Sequence, residues 1–210
     1  MKVLLATQKP FAAKAVEGIV SILTEGGHEV VKLEKYEAQE DLVKAVADVE
    51  AMIIRSDKVT EEVMAAAPKL KIVVRAGAGF DNVDLAAATA RGIVVMNTPG
   101  QNSNAVAELA LGLMIFMART QFTPATGSEL QGKRLGVQAY GNVGRLVGQK
   151  AKALGMEICA LDPFLTDEQI IAGGAKPVHS VEELYAASDY LSIHIPPCPP
   201  PSRASATTSL

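Results

Sequence analysis

The sequence predicts an α/β protein made of two parallel-sheet units. Three observations predict it. Short apolar runs alternate with segments of helical length from the first residues onward. The runs are continuously apolar, as in strands covered on both faces, rather than alternating apolar and polar. A turn cluster at Asn97-Thr98-Pro99-Gly100 and a polar stretch at 121–133 separate one strand–helix series from the next.

Each element follows in order. Val3-Leu4-Leu5-Ala6 reads as a buried strand, and 11–25 as a helix stopped by Gly26-Gly27. Residues 28–33 form a second strand, 39–47 a helix, and Ala51-Met52-Ile53-Ile54 a third strand. A short helix near 60–67 closes at Pro68. Strand 72–74, a helix at 83–91 ended by Gly92, and strand 93–96 complete five strands, enough for a small doubly wound unit. The first boundary is placed after residue 98. A long helix spans about 102–118, and 121–133 is a loop or linker holding Pro124, Gly127 and Gly132. The second series has strand 134–139, helix 142–154, strand 156–161, a short strand at Pro177-Val178, helix 181–187 and strand 190–194. From Pro196 the composition changes to Pro-Pro-Cys-Pro-Pro-Pro and then a Ser/Thr/Ala-rich run. Such a segment cannot continue a parallel sheet and is expected to be extended and disordered.

Composition narrows the class of function. The 210 residues suit one domain or two small ones, and 49% hydrophobic with 20% charged residues excludes a disordered chain. Lys and Arg number 20 against 23 Asp and Glu, a net charge of −3 that argues against nucleic-acid binding. Cys159 and Cys198 make no disulfide framework, which favours a reducing, cytoplasmic setting. Trp is absent, so Val, Ile, Leu, Met and Ala must build the core. The start of the chain lacks the long apolar stretch of a signal peptide. The apolar run at 105–118 carries Glu108 and is about half a membrane span. No membrane partner and no metal site are expected.

The sharpest chemical signal is Ala139-Tyr140-Gly141-Asn142-Val143-Gly144-Arg145, directly after a strand and opening a helix. That is the setting of a dinucleotide loop. Gly141 admits a pyrophosphate, Gly144 allows strand and helix to pack closely, and the helix N-terminus offers amide donors. Ala139 stands where the fingerprint has its first glycine. If that position needs φ > 0, alanine costs about 1–2 kcal/mol. The alternative is a tight turn with no ligand. Asp162 ends the next strand, where a carboxylate binds the ribose 2′-hydroxyl of NAD and repels the phosphate of NADP. Its alternative is an ordinary Asp-Pro turn. In the first series, Arg55-Ser56-Asp57-Lys58 and Arg75-Ala76-Gly77-Ala78-Gly79-Phe80-Asp81-Asn82 follow two strand ends. Two arginines there are suited to clamp a phosphate, and Gly77 and Gly79 to offer backbone N–H groups to a carboxylate. The alternative is a pair of surface salt bridges.

These runs, with Met96-Asn97-Thr98-Pro99-Gly100-Gln101-Asn102, come in the order of the D-2-hydroxyacid dehydrogenase family, which the chain resembles over about 1–195. The resemblance implies a flavodoxin-like substrate domain at 1–98 and an incomplete Rossmann (doubly wound parallel) NAD-binding domain at 99–195, and the change of composition leaves 196–210 as a Pro/Ser/Thr-rich tail expected to be disordered. It implies oxidation of 3-phosphoglycerate or a similar 2-hydroxy acid by hydride transfer to NAD. Arg55, Ser56, Arg75, Gly77, Ala78, Gly79 and Asn102 would bind substrate. Tyr140, Gly141, Asn142, Val143, Gly144, Asp162 and His194 would line the cofactor site. The helix at 102–118 is similar to the one that joins the family's homodimer interface.

The departure from the family pattern is equally specific. The family draws its catalytic Arg, Glu and His from beyond the strand that ends near His194, where this sequence has its proline-rich run. Of the three histidines, His28 and His179 read as surface turn residues, and His194 matches a cofactor-pocket position. No catalytic residue is assigned. The expected alternative to an active dehydrogenase is a truncated or frame-shifted remnant that binds nucleotide or phosphate without turnover. Half a Rossmann sheet is also expected to leave an apolar edge uncovered.

Overall fold

The computed structural model describes residues 1–195, so the expectations for the tail lie outside the described residues. The chain divides into two compact units, with unit 1 Met1–Asn102 and unit 2 beginning at Ser103. The division falls four residues later than the turn cluster suggests.

Unit 1 contains β1 (Lys2–Thr7), α1 (Ala13–Glu25), β2 (Glu29–Glu34), α2 (Gln39–Ala45), β3 (Ala51–Ile54), α3 (Glu61–Ala65), β4 (Ile72–Arg75), α4 (Leu85–Ala90) and β5 (Val94–Asn97). Its five parallel strands run in the order β2-β1-β3-β4-β5. That is the flavodoxin-like order, whose direction reverses between β1 and β3. β1 and β3 are central, and Leu4, Leu5, Met52 and Ile54 are fully buried. Leu42 and Val46 from the α2 side and Val63 from α3 complete the packing. The short helices start where side chains satisfy their free amides. Thr60 accepts from Val63 N, and Asp84 accepts from Ala87 N at 2.9 Å.

Unit 2 contains α5 (Ser103–Ala118), β6 (Arg134–Gln138), α6 (Asn142–Ala153), β7 (Glu157–Leu161), α7 (Asp167–Ala172), β8 (Lys176–Pro177), α8 (Val181–Ala186) and β9 (Tyr190–Ile193). Its parallel strands run β8-β7-β6-β9. This is the order of the first four strands of a Rossmann sheet, reversing between β6 and β9. Ala107, Leu111, Met114 and Ala118 put one stripe of α5 into a core shared with Leu135, Val137 and Val147. The opposite face of α5 leaves Leu109, Leu113 and Met117 exposed, and edge strand β9 leaves Leu191 and Ile193 exposed.

Two segments differ from the sequence expectation. α7 is a six-residue helix where none was expected. It is too short to display a period, but Thr166 and Gln169 form a capping box that marks its start. At the start of the expected 121–133 linker, Thr120 just before it and Gln121 and Phe122 within it all lie at left-handed φ, of 52°, 59° and 58°. Phe122 packs edge-on against Phe116, with ring centroids 5.5 Å apart.

Candidate functional site

In unit 2 the glycine loop makes a tight turn from β6 into α6. Ala139 lies at φ +69°, in the left-handed region that glycine occupies without strain. A Cβ on Gly144 would stand 2.2 Å from the Ala139 carbonyl oxygen, so only glycine lets α6 approach β6 this closely. A Cβ on Gly141 would meet no heavy atom within 4 Å. Gly141 is also the N-cap of α6 and supplies no side-chain cap. The amides of Asn142, Val143 and Gly144 donate to no protein acceptor among the described residues. A twelve-residue helix thus points free N–H groups and its positive dipole end into open space.

Asp162 follows β7. Its Oδ2 accepts from the Tyr140 amide at 2.8 Å, and its Oδ1 from Phe164 N at 2.9 Å. The carboxylate therefore stands beside the glycine loop and fixes it. His194 follows β9 and donates its backbone N–H to Gln138 at the end of β6, at 2.9 Å. Its Nε2 shares a 2.8 Å hydrogen bond with Ser192, and burial holds its imidazole below the usual pKa. The loop, Asp162 and His194 thus gather at the carboxyl ends of β6, β7 and β9, around the point of strand reversal.

Against the sequence expectation, Tyr140 does not offer its side chain to a ligand. The ring is fully buried and its hydroxyl donates to the Gly173 carbonyl at 2.8 Å. A Cβ on Gly173 would lie 2.6 Å from that ring, and one on Gly148 would lie 3.1 Å from its hydroxyl. Those two glycines clear the space that draws the side chain inward, so only the Tyr140 backbone belongs to the loop. Arg145 was not singled out from sequence. Its Nε donates to the Tyr140 carbonyl at 3.0 Å and brings the guanidinium to the same loop.

In unit 1, Arg55 follows β3 and Arg75 ends the neighbouring β4, opposite Ile54 in register. Neither arginine joins a salt bridge among the described residues, so the surface-ion-pair alternative fails for both. The Arg75 guanidinium lies over Gly77, where a Cβ would sit 1.6 Å from Nη1. Its buried Nε has no hydrogen-bond partner among the described residues. The loop beyond is pinned by β5: Asn97 Nδ2 donates to Ala78 O at 2.7 Å, and Thr98 N to Gly77 O at 2.9 Å. The Ala78 and Gly79 amides keep no protein acceptor among the described residues.

A cavity of about 440 Å³ opens between the turn after β3 and the segment before α4, lined by Ser56, Lys58, Thr60, Arg75, Asp81 and Asn82 among others. Arg55 is exposed and outside that lining. Asn102 is exposed at the end of unit 1. Asp57, by contrast, is almost wholly buried, and sequence reading missed it because its partners Gln8 and Tyr36 are distant in the chain.

Comparison with known proteins decides the family. The model of the D-isomer specific 2-hydroxyacid dehydrogenase catalytic domain matches residues 10–193. The chain belongs to the D-isomer specific 2-hydroxyacid dehydrogenase family. As a member of that family it is similar to D-3-phosphoglycerate dehydrogenase of Rattus norvegicus, 39% identical over 193 residues, covering 85% of this chain and 36% of the relative. It is 38% identical over 197 residues to D-3-phosphoglycerate dehydrogenase of Methanocaldococcus jannaschii, covering 87% of this chain and 37% of that one. The crystal structure of NAD+-bound 3-phosphoglycerate dehydrogenase from Entamoeba histolytica superposes with a TM-score of 0.87 at 46% identity. That match covers 94% of this chain and 63% of the solved chain. The chain therefore spans little more than a third of the length of the curated relatives it matches. No helix among its described residues is long and apolar enough to cross a membrane.

Proposed function

We propose that the chain serves an NAD-dependent D-2-hydroxyacid dehydrogenase acting on 3-phosphoglycerate, the entry to phosphorylated serine biosynthesis. The observation that carries this reading is the pair of strand-end arginines, Arg55 and Arg75, free of carboxylate partners among the described residues, with the open Ala78 and Gly79 amides a few residues beyond Arg75. The guanidinium groups bind the phosphate, which suits their planar, bidentate donors. The free amides, with Ser56 and Asn102, receive the carboxylate and hydroxyl end. Unit 1 is thus the substrate domain and unit 2 the cofactor domain.

The residues of unit 2 fit a dinucleotide. The open space at Gly141 admits a pyrophosphate onto the free N-terminal amides of α6. Asp162 has acceptor capacity left beyond its two backbone bonds and takes the ribose hydroxyls, which excludes a 2′-phosphate. His194 lines the same end of the sheet. When bound, NAD supplies the hydride acceptor. A dimer joined through the exposed Leu109, Leu113 and Met117 face of α5, in the cytoplasm, completes the proposal.

A second reading is binding without turnover by this chain. It is favoured by His28, the sole histidine of unit 1, which sits before β2 at the amino ends of the strands, away from Arg55 and Arg75. Unit 1 therefore brings no imidazole to the substrate groups as a general base. The purified 210-residue chain, mixed with NAD and 3-phosphoglycerate, separates the two. NADH formation is expected under the first reading. Binding of both ligands with no NADH supports the second, and binding of neither overturns both.

A further inference from the structure

We propose that Asp57 is the positioning residue for the turn that carries Arg55 and Ser56, holding it ready for an anionic group. The proposal rests on the reading of Arg55 as a substrate-binding residue. Asp57 is 3% exposed. Its Oδ1 accepts from Gln8 N–H at 2.7 Å and from the Tyr36 hydroxyl at 2.6 Å. Its Oδ2 accepts from Arg55 N–H at 3.2 Å. Its backbone carbonyl accepts from Asn82 Nδ2 at 2.7 Å. One buried residue thus ties together the chain beyond the ends of β1, β2, β3 and β4, across the reversal point of the sheet.

The carboxylate has no cationic partner among the described residues. A buried charge is tolerated without one only when donors satisfy it. Here three donors converge on two oxygens, the Gln8 and Arg55 N–H groups and the Tyr36 O–H. Asparagine is therefore a poor isostere, because it turns an NH2 toward one of those donors. The arrangement also explains why the carboxylate does not neutralise Arg55. Asp57 grips the Arg55 backbone and leaves its guanidinium free. Fixing that backbone before binding removes part of the ordering entropy an anion would otherwise face.

The test uses the full chain with Asp57→Asn, Tyr36→Phe and a control, Val46→Ala. Val46 is fully buried in the same core but away from the turn. Two readouts are taken: amide hydrogen exchange, and calorimetric affinity for 3-phosphoglycerate. Asp57→Asn is expected to speed exchange at Gln8 and Arg55 and weaken binding by about tenfold each. Tyr36→Phe keeps the carboxylate and shows the same changes at about twofold to threefold. Val46→Ala lowers the melting temperature and leaves affinity unchanged. Wild-type exchange at Gln8 and Arg55 in Asp57→Asn overturns the proposal, as does affinity equal to that of Val46→Ala. If Asp57→Asn does not fold, Tyr36→Phe decides on the same two readouts. A wild-type chain that does not bind 3-phosphoglycerate, or an Arg55→Ala variant that binds it equally well, overturns the Arg55 reading instead. The exchange measurement then still decides whether Asp57 orders the turn.

Discussion

The Asp162 carboxylate and the Tyr140 backbone amide meet at 2.8 Å, joining the end of β7 to the glycine loop after β6. The residue proposed to hold the ribose is therefore also the residue that fixes the glycine loop. Replacing it disturbs two contacts together. Asp162→Ala is expected to weaken NAD binding by about tenfold or more, the worth of a hydrogen bond to a charged group. It should also narrow the preference for NAD over NADP. Titration of both nucleotides into both proteins checks this, and an unchanged ratio would remove Asp162 from the ribose site.

Ala139 and Gly144 should respond in opposite senses. Ala139→Gly relieves left-handed strain of about 1–2 kcal/mol against an unfolded-state entropy cost of about 0.4–1 kcal/mol, a modest net stabilisation. Gly144→Ala drives a methyl group to 2.2 Å from the Ala139 carbonyl oxygen. That should destabilise by about 1–3 kcal/mol. Urea denaturation of the two variants measures both signs.

Tyr140→Phe tests the inward placement of the ring. It removes the 2.8 Å bond to the Gly173 carbonyl. The loss of stability should be about 1–2 kcal/mol. NAD affinity should hardly change, since the loop uses only the Tyr140 backbone. A large loss of affinity at unchanged stability would return the side chain to the cofactor site.

Arg75→Lys retains the charge but loses the planar fork. If the arginines hold a phosphate bidentately, 3-phosphoglycerate affinity should fall by about tenfold, and Lys should rescue little of the loss seen with Ala. Isothermal titration of the three proteins separates charge from geometry. Equal affinity in Arg75→Lys and the parent would refute a bidentate role.

Stability should fall on mild acidification, in part because of His194. Burial holds its folded pKa below the ordinary 6.5. Its contribution is fully present above the unfolded pKa. It is lost as pH falls from 6.5 through the folded pKa, because the unfolded chain takes up the proton first. His194→Gln should flatten that part of a melting-temperature profile taken from about pH 7.5 to about pH 5. An unaltered slope would assign the effect to other groups.

Much of this protein was readable from residue order. Continuous apolar runs identified the parallel strands, because strands covered on both faces need no alternation. The glycine loop and the strand-end arginines were local patterns, legible as short strings. The six residues of α7 escaped because a period needs length, although the Thr166–Gln169 capping box was present. The tertiary structure alone decided three matters. It turned the Tyr140 ring into the core, where Gly148 and Gly173 leave room for it. It put Ala139 at positive φ, where the close approach of Gly144 holds the loop. It brought Gln8, Tyr36 and Arg55 onto Asp57. The residues flanking a site's chemistry can be read in sequence when they are neighbours in the chain. A carboxylate whose donors come from three strand ends becomes visible only when parallel pairing brings those ends together.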